Sequence, residues 1–236
     1  RKKNTNKMIP DPPLGISKRD RINFSLHFKN RFDCEKKYFG SFSINDFKPP
    51  LLSVYSNDLN SSITHKFIRD LKPDLALLFG CSFINTETMK KLPFDSINLH
   101  GGLSPRYKGV ATMFWPFYFL EPNNAGFTFH YINNKIDSGN LVHQCTPDLE
   151  INDKIHDVAC KAVLKANSDI LKIIDVLKNK KKLKLKRQTS NGKTFYSHDF
   201  KPEHLRLIYE KFDDQIVKMY LNGTIQPYKQ FQFKQF

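Results

Sequence analysis

The sequence predicts an α/β domain with a mostly parallel central sheet flanked by helices, followed by a short α+β extension. Three observations predict it. Asp74–Phe79 (DLALLF) is a nearly continuous apolar run, the pattern of a strand buried on both faces of a parallel sheet. Between residues 51 and 100, short apolar runs alternate with amphipathic stretches of helical length. Ile151–Leu177 then carries Ile155, Val158, Ala162, Ala166, Ile170 and Ile173 as one apolar stripe at helical spacing.

The elements follow in order. Residues 1–20 are basic and contain Pro10, Pro12 and Pro13, so they read as an extended arm. Arg21–Phe39 is an amphipathic helix ending near Gly40, and 41–50 is a linker closed by Pro49 and Pro50. Leu51–Tyr55 reads as a strand, and Asn57 or Asp58 caps a helix carrying Ile63, Phe67, Ile68 and Leu71 that Pro73 stops. The strand Asp74–Phe79 precedes a short helix near Thr86–Leu92 and a strand Ser96–Leu99. A Gly/Pro-rich loop spans His100–Gly109, and Ala111–Leu120 is a buried helix that Pro116 kinks or starts. Ala125–Ile132 and Asn140–Cys145 are strands joined by a polar turn. After the long helix come a basic run, Lys178–Arg187, a strand or hairpin in Leu183–Tyr196, and a helix from Pro202 to Leu221 with Gly223 beyond its end. The tail, 226–236, alternates Phe with polar residues. The domain reading is therefore an arm and helix (1–50), a core (51–182) and a small extension (183–236).

Composition narrows the function. The chain has 236 residues, with 38 Lys+Arg against 23 Asp+Glu, a formal charge of +15. Hydrophobic residues at 39% and aromatics at 13% suffice for a packed core and argue against a disordered chain. No apolar stretch approaches the length of a membrane span. The cysteines at 34, 81, 145 and 160 form no CxxC pair, so neither zinc ligation nor a disulfide framework is expected, and the cytoplasm is the compartment that fits. The basic excess comprises 30 Lys and 8 Arg, whereas bidentate phosphate recognition favours Arg. A solvated basic surface and attraction to an anionic partner both remain open.

Four groups of residues could carry chemistry. Asn98 and His100 stand two apart on a strand, so they project together from its carboxyl end, where open α/β sheets bind ligands. An amide beside an imidazole suits oxyanion stabilisation and proton transfer, and the same pair also suits capping of the following loop. That loop, Gly101–Gly109 (GGLSPRYKG), allows close backbone approach and brings Arg106 and Lys108. Asp137, in Lys135–Gly139, could orient a histidine, although Asp-Ser-Gly is ordinary turn composition. Thr128 and His130 alternate with Phe127 and Phe129 on one strand. His65, His143, His156, His198 and His204 show no ligand spacing.

In order and spacing, Asn98-Leu99-His100, Leu103–Gly109, Gly126–His130 and Ile136–Gly139 resemble the signature of the folate-dependent formyltransferases. Those enzymes include the methionyl-tRNA, glycinamide ribonucleotide and sugar N-formyltransferases. The resemblance spans roughly 51–180 and implies a Rossmann-like formyltransferase fold. It further implies transfer of a formyl group from N10-formyltetrahydrofolate to a primary amine, without a metal. By the same resemblance Asn98, His100 and Asp137 are the catalytic residues: Asn98 and a protonated His100 hold the oxyanion, and Asp137 orients His100. The co-substrate would lie against Gly80, Cys81, Ser82, Phe83, Ile84, Ile136, Ser138 and Gly139. Gly102, Arg106, Tyr107, Lys108, Thr128 and His130 would face the acceptor, with Tyr107 or Trp115 available to stack on its sugar or base. Departures are Gly102-Leu103-Ser104-Pro105 where the family has Ser-Leu-Leu-Pro, and Lys108 where it has Arg. Residues 1–50 lack the family's opening strand–helix–strand unit, so with Arg1 first an upstream portion is expected to lie outside the sequence.

The segment 192–221 resembles the C-terminal region of formyltransferases of surface-polysaccharide synthesis, such as lipopolysaccharide. That implies a nucleotide-linked amino sugar as acceptor. Methionyl-tRNA and glycinamide ribonucleotide are the alternatives within the family. From other classes, a 10-formyltetrahydrofolate hydrolase and a non-catalytic binding module remain, and a homodimer is left open.

Overall fold

β2 (Asp95–Gly101) is the strand around which the chain closes. It pairs in parallel with β1 (Leu75–Leu78) and antiparallel with β4 (Phe127–Tyr131). β4 pairs antiparallel with β5 (Leu141–Cys145), giving the order β1-β2-β4-β5. The structure, a computed structural model, describes residues 9–40, 49–189 and 192–236. The first eight residues of the expected arm, and 41–48 of the expected linker, lie outside the described residues.

The α/β class stands, but the sheet is mixed rather than mostly parallel. The reason is connectivity: the turn between β4 and β5 is shorter than the dozen or so residues that a parallel crossover needs, so the strands meet as antiparallel neighbours. α5 (Ile155–Lys178) covers the sheet, packing Ala162, Ala166, Ile170 and Ile173 against Ile97, Phe127, Phe129 and Val142. Its buried first turn is completed from elsewhere in the chain, because the Asp214 carboxylate accepts the Ile155 N–H at 3.1 Å.

A second core forms beside the first. α1 (Lys18–Phe39), capped by the Ser17 hydroxyl, packs on α5 and brings Phe24 to Tyr107, Phe114, Trp115, Phe195, Leu205 and Ile208. α2 (Ser62–Leu71) and α3 (Thr86–Met89) flank β1 in sequence; α2 starts after Ser61 rather than at the expected Asn57 or Asp58, and the Asn85 side chain caps α3.

Several elements differ from expectation. Among the described residues Leu51–Tyr55 forms no strand and keeps only a bridge position at Tyr55, and Leu51 and Tyr55 remain exposed. The helix expected over Ala111–Leu120 contracts to α4 (Trp115–Tyr118), because Ala111 and Leu120 adopt positive φ of 56° and 57°. The Gly/Pro loop ends in a strand, β3 (Tyr107–Gly109), which pairs in parallel with β6 (Lys193–Phe195). Leu183–Tyr196 is therefore no hairpin: its start bridges Leu141 through Lys186, and its end pairs with β3. The helix expected over Pro202–Leu221 is broken into a 3₁₀ turn, a π turn and α6 (Ile216–Leu221), with Asp213 and Asp214 at positive φ.

The tail docks on β5. The Gln144 N–H donates to the Phe233 carbonyl at 2.8 Å, and Gln235 donates its N–H to His143 Nδ1 at 3.1 Å. Among the described residues no helix is long and apolar enough to cross a membrane.

Ile97 is fully buried where sheet and α5 meet. Ile97→Ala is expected to cost about 2–5 kcal/mol, read as a lower urea midpoint at unchanged m. Leu171→Ala, on the exposed side of α5, is expected to stay within about 0.5 kcal/mol.

Candidate active site

The carboxyl end of β2 delivers Asn98 and His100 to the floor of a cavity of about 1060 Å³. β4 places His130 opposite Asn98, and the turn leaving β4 brings in Asp137. These four side chains converge. Asp137 Oδ1 accepts from Asn98 Nδ2 at 3.3 Å and lies 3.4 Å from His130 Nε2. Asp137 Oδ2 lies 3.3 Å from His100 Nδ1 and accepts the Gly109 N–H at 2.8 Å. Asn98 Nδ2 also lies 3.2 Å from His130 Nε2.

The proton positions follow from the partners. The His100 Nε2–H donates to the Tyr107 carbonyl at 2.7 Å, so Nδ1 is the nitrogen turned to Asp137. His130 likewise donates from Nδ1 to the Tyr131 carbonyl at 2.9 Å, which leaves Nε2 toward Asn98 and Asp137. Burial pulls the His100 ring below the ordinary imidazole value, against the opposing pull of Asp137 and the Tyr107 carbonyl. Burial alone would raise the Asp137 carboxyl. The His130 hydrogen bond, the His100 charge and the Gly109 N–H outweigh it and hold that carboxyl below the usual carboxylate range.

Two glycines make this geometry possible. A Cβ on Gly102 would lie 2.6 Å from the Tyr107 carbonyl oxygen and 2.8 Å from His100 Nε2, inside the hydrogen bond that fixes the ring. A Cβ on Gly139 would lie 1.6 Å from the Tyr131 carbonyl oxygen. Asp137 itself sits at φ 44°, sparsely populated for a residue with a side chain. Gln188 Nε2 clamps that turn, donating to the Asp137 carbonyl at 3.0 Å and to the Gly139 carbonyl at 2.8 Å.

The expected site residues divide between wall and frame. Gly80, Cys81, Ser82, Phe83, Ile84, Ile136 and His130 line the cavity with the Asn98, His100 and Asp137 trio. Ser138 and Gly139 shape the turn from behind it, and Gly102 and Lys108 lie outside the lining. Arg106 and Tyr107 both bond to Glu121, Arg106 as an ion pair, and Tyr107 is buried in the core together with Trp115. Neither ring presents a face for stacking in this cavity. Thr128 is fully buried; its hydroxyl accepts the Ser104 N–H at 2.9 Å and donates to the Gly102 carbonyl at 2.7 Å, so it braces the loop.

Sequence reasoning missed the opposite wall. His27, Phe28 and Arg31 of α1, and His156, Ala159 and Cys160 of α5, line the same cavity. His27 sits with its ring 4.5 Å from that of His156 and its Nδ1 2.8 Å from the Tyr209 hydroxyl. No spacing rule joins residues so far apart in the chain. His143, Cys145 and Asp169 also cluster, with candidate ligand atoms all within 4.8 Å. Their lone pairs are already engaged: His143 bridges the Gln235 N–H and Asp169, Lys165 and Lys172 pair with Asp169, and burial pushes the Cys145 thiol up to about 12. The cluster latches the tail.

Burial pushes the His27 imidazole down to about 2 and the His156 imidazole down to about 4, from an ordinary 6.5. Below pH 6.5 the unfolded chain binds protons that the folded chain refuses. Stability is therefore expected to fall as pH drops from 6.5 toward 4, by up to about 1.4 kcal/mol per pH unit for each ring. Urea titrations at pH 7, 6 and 5 measure it. His156→Phe is expected to flatten the slope, and an unchanged slope would contradict the assignment.

Comparison with known proteins bears on this arrangement. The formyl transferase family model matches residues 35–177, more than half of the chain. Among curated relatives, the bifunctional polymyxin resistance protein ArnA of Wigglesworthia glossinidia brevipalpis is 30% identical over 150 residues, covering 62% of this chain and 22% of that protein. A methionyl-tRNA formyltransferase of Ligilactobacillus salivarius is 26% identical over 209 residues, 86% of this chain and 59% of its own length. The chain thus spans between about a fifth and three fifths of the length of these relatives. Among solved structures, the phosphoribosylglycinamide formyltransferase of Anaplasma phagocytophilum superposes with TM-score 0.54 at 16% identity, over 71% of this chain and 92% of that one. The formyltransferase PseJ of Anoxybacillus kamchatkensis, solved in complex with UDP-4,6-dideoxy-4-formamido-L-AltNAc and tetrahydrofolate, superposes with TM-score 0.52 at 21% identity, over 72% and 83%. Both likenesses are likenesses of fold. The family match coincides with the segments that carry Asn98, His100 and Asp137, and this chain belongs to the formyl transferase family.

Proposed function

We propose that the protein transfers a formyl group from N10-formyltetrahydrofolate to a primary amine, and that the amine belongs to a nucleotide-linked amino sugar. The observation that carries the reading is the convergence of Asn98, His100 and Asp137 on one cavity whose adjoining wall is Gly80–Ile84. The cavity's residues fit the co-substrate. Phe79, Phe83, Ile84 and Ile136 offer apolar surface to a flat heterocycle, and Asn98, His100, His130 and Asp137 supply convergent polar groups beside it. The bound co-substrate supplies an electrophilic formyl carbon. For the acceptor, the reading is supported by the sugar-nucleotide product named with PseJ, and surface-polysaccharide synthesis is the setting it suggests.

The geometry redistributes the roles within the trio. His100 has both nitrogens committed, Nε2 to Tyr107 and Nδ1 toward Asp137. Asn98, whose amide lines the cavity and makes only the longer contacts of 3.3 Å to Asp137 and 3.2 Å to His130, is assigned as the donor that turns to the oxygen on which negative charge develops. A donor of that kind is worth about 10²–10³ in rate. His100 stores a proton: Nδ1 takes one through Asp137 as the attacking amine loses it, and returns it to the departing nitrogen. The ionised Asp137 stabilises the imidazolium so formed.

Four measurements test this. Given N10-formyltetrahydrofolate with amino-sugar nucleotides, methionyl-tRNA or glycinamide ribonucleotide, the protein is expected to formylate an amino-sugar nucleotide. Asn98→Ala is expected to lower kcat about 10²–10³-fold. Formylation of tRNA alone would replace the acceptor, and tetrahydrofolate release without any amine would make the protein a hydrolase. Because the His100 pKa lies below its ordinary 6.5, activity is expected to fall with acid only below that pH, where Nδ1 is already protonated. Gln188→Ala is expected to lower kcat about tenfold at nearly unchanged KM, by loosening the Asp137 turn. Gln188→Glu, which puts an oxygen where the donor was, is expected to do no better.

A further inference from the structure

The basic run after α5 and the Phe-rich tail take no part in the reaction cavity, and the fold brings them together. Lys178–Arg187 holds six Lys and one Arg, and 226–236 adds Lys229 and Lys234; neither segment contains a carboxylate. Among the described residues these cations form no ion pair, whereas Lys165 and Lys172 of α5 both pair with Asp169. A block of like charge is commonly loose, but this one is fastened to the sheet edge. Leu183 packs into the sheet core. The Lys184 N–H donates to Gln235 Oε1 at 2.9 Å, and its carbonyl accepts from Gln235 Nε2 at 2.7 Å. The Lys186 backbone exchanges hydrogen bonds of 2.8 and 3.0 Å with Leu141 of β5.

The docked tail sets apolar surface among these charges. Lys186 Nζ lies 5.0 Å from the Phe231 ring centre, and Lys172 Nζ lies 5.0 Å from that of Phe236. Phe231 is 74% exposed and Phe236 52%, so each ring stands in water beside a lysine. Gln235, bonded to Lys184 and next to Phe236, joins the two positions into one face. Lys186, Arg187 and Phe231 also border a second cavity, of about 550 Å³, beside the β3–β6 ladder. Lys180, Lys181, Lys182 and Lys184 lie outside that cavity and remain exposed.

A partner for this face must take many unpaired point charges and accept exposed rings between them. Lysine is a hydrated point charge, whereas the planar fork of arginine suits base edges and bidentate phosphate contacts, and lysine prevails here. An anionic bilayer meets both demands. Its headgroups offer a continuous negative surface, phenyl rings enter the acyl boundary, and lysine stems reach back so that their ammonium groups stay at the phosphates. We propose that this face seats the protein on an anionic lipid bilayer. The proposal does not depend on which amine, if any, is formylated.

Co-sedimentation of the full chain with lipid vesicles tests it. Binding is expected on phosphatidylcholine vesicles containing about 30% phosphatidylglycerol, and at least about tenfold less on pure phosphatidylcholine. Raising the salt from about 0.1 M to about 0.5 M is expected to weaken it about tenfold or more. Lys181→Gln/Lys182→Gln/Lys184→Gln is expected to weaken it about tenfold or more, because each Lys near such a surface contributes about fivefold. Lys66→Gln/Lys91→Gln/Lys218→Gln removes the same charge from exposed positions elsewhere and is expected to change it less than about twofold. Phe231→Ser is expected to weaken it about threefold or more by removing the inserted ring. Thermal unfolding checks that each variant folds, and the lipid and salt comparisons need no variant. No binding to the mixed vesicles, equal binding to pure phosphatidylcholine, an equal effect of the two triple variants or unchanged binding of Phe231→Ser would each overturn the proposal. So would release from the mixed vesicles by duplex RNA at equal phosphate concentration, which would make nucleic acid the partner.

Discussion

The carboxylate of Asp137 is the interaction on which the rest of the site depends. Both of its oxygens are occupied, by Asn98 and His130 on one side and by His100 and the Gly109 N–H on the other. It thereby ties β2, β3, β4 and the turn after β4 to one buried charge. A buried charge is stable only when its hydrogen-bonding capacity is met, so the four partners are mutually obligatory. The left-handed backbone at Asp137 is the strain this arrangement tolerates, and Gln188 opposes it from a segment distant in sequence.

β3 is the second constraint. Its short parallel pairing with β6 positions the Tyr107 carbonyl over His100 and the Gly109 amide over Asp137. The Tyr107 hydroxyl and the Arg106 guanidinium then anchor the strand to Glu121. Basic and aromatic residues that read as acceptor contacts thus serve as scaffolding, and Thr128 does the same beneath the loop. The loop's Gly-rich composition reflects close backbone packing around an imidazole.

The two ends of the chain complete the molecule in different ways. α1 closes the cavity wall opposite β1 with buried His27, packed against buried His156 of α5, and both imidazoles are neutral. The tail adds its residues to β5 through Gln144, His143 and Gln235, and carries Tyr228 and Phe231 to the rim of the second cavity. The C-terminal segment is thus a strap across the sheet edge.

Much was legible in the sequence. The DLALLF strand, the α5 stripe, the Asn98–His100 spacing and the β4–turn–β5 unit with Asp137 are local patterns, set by period and turn chemistry within a few residues of one another. These determined the α/β class and brought the trio into view. Only the tertiary structure decided which way the strands ran, that Asp137 reaches both histidines, that Arg106 and Tyr107 turn away to Glu121, and that His27, His156 and Gln188 belong at all. Those outcomes depend on pairings between segments tens of residues apart, where burial and hydrogen-bond satisfaction, rather than local propensity, select the partner.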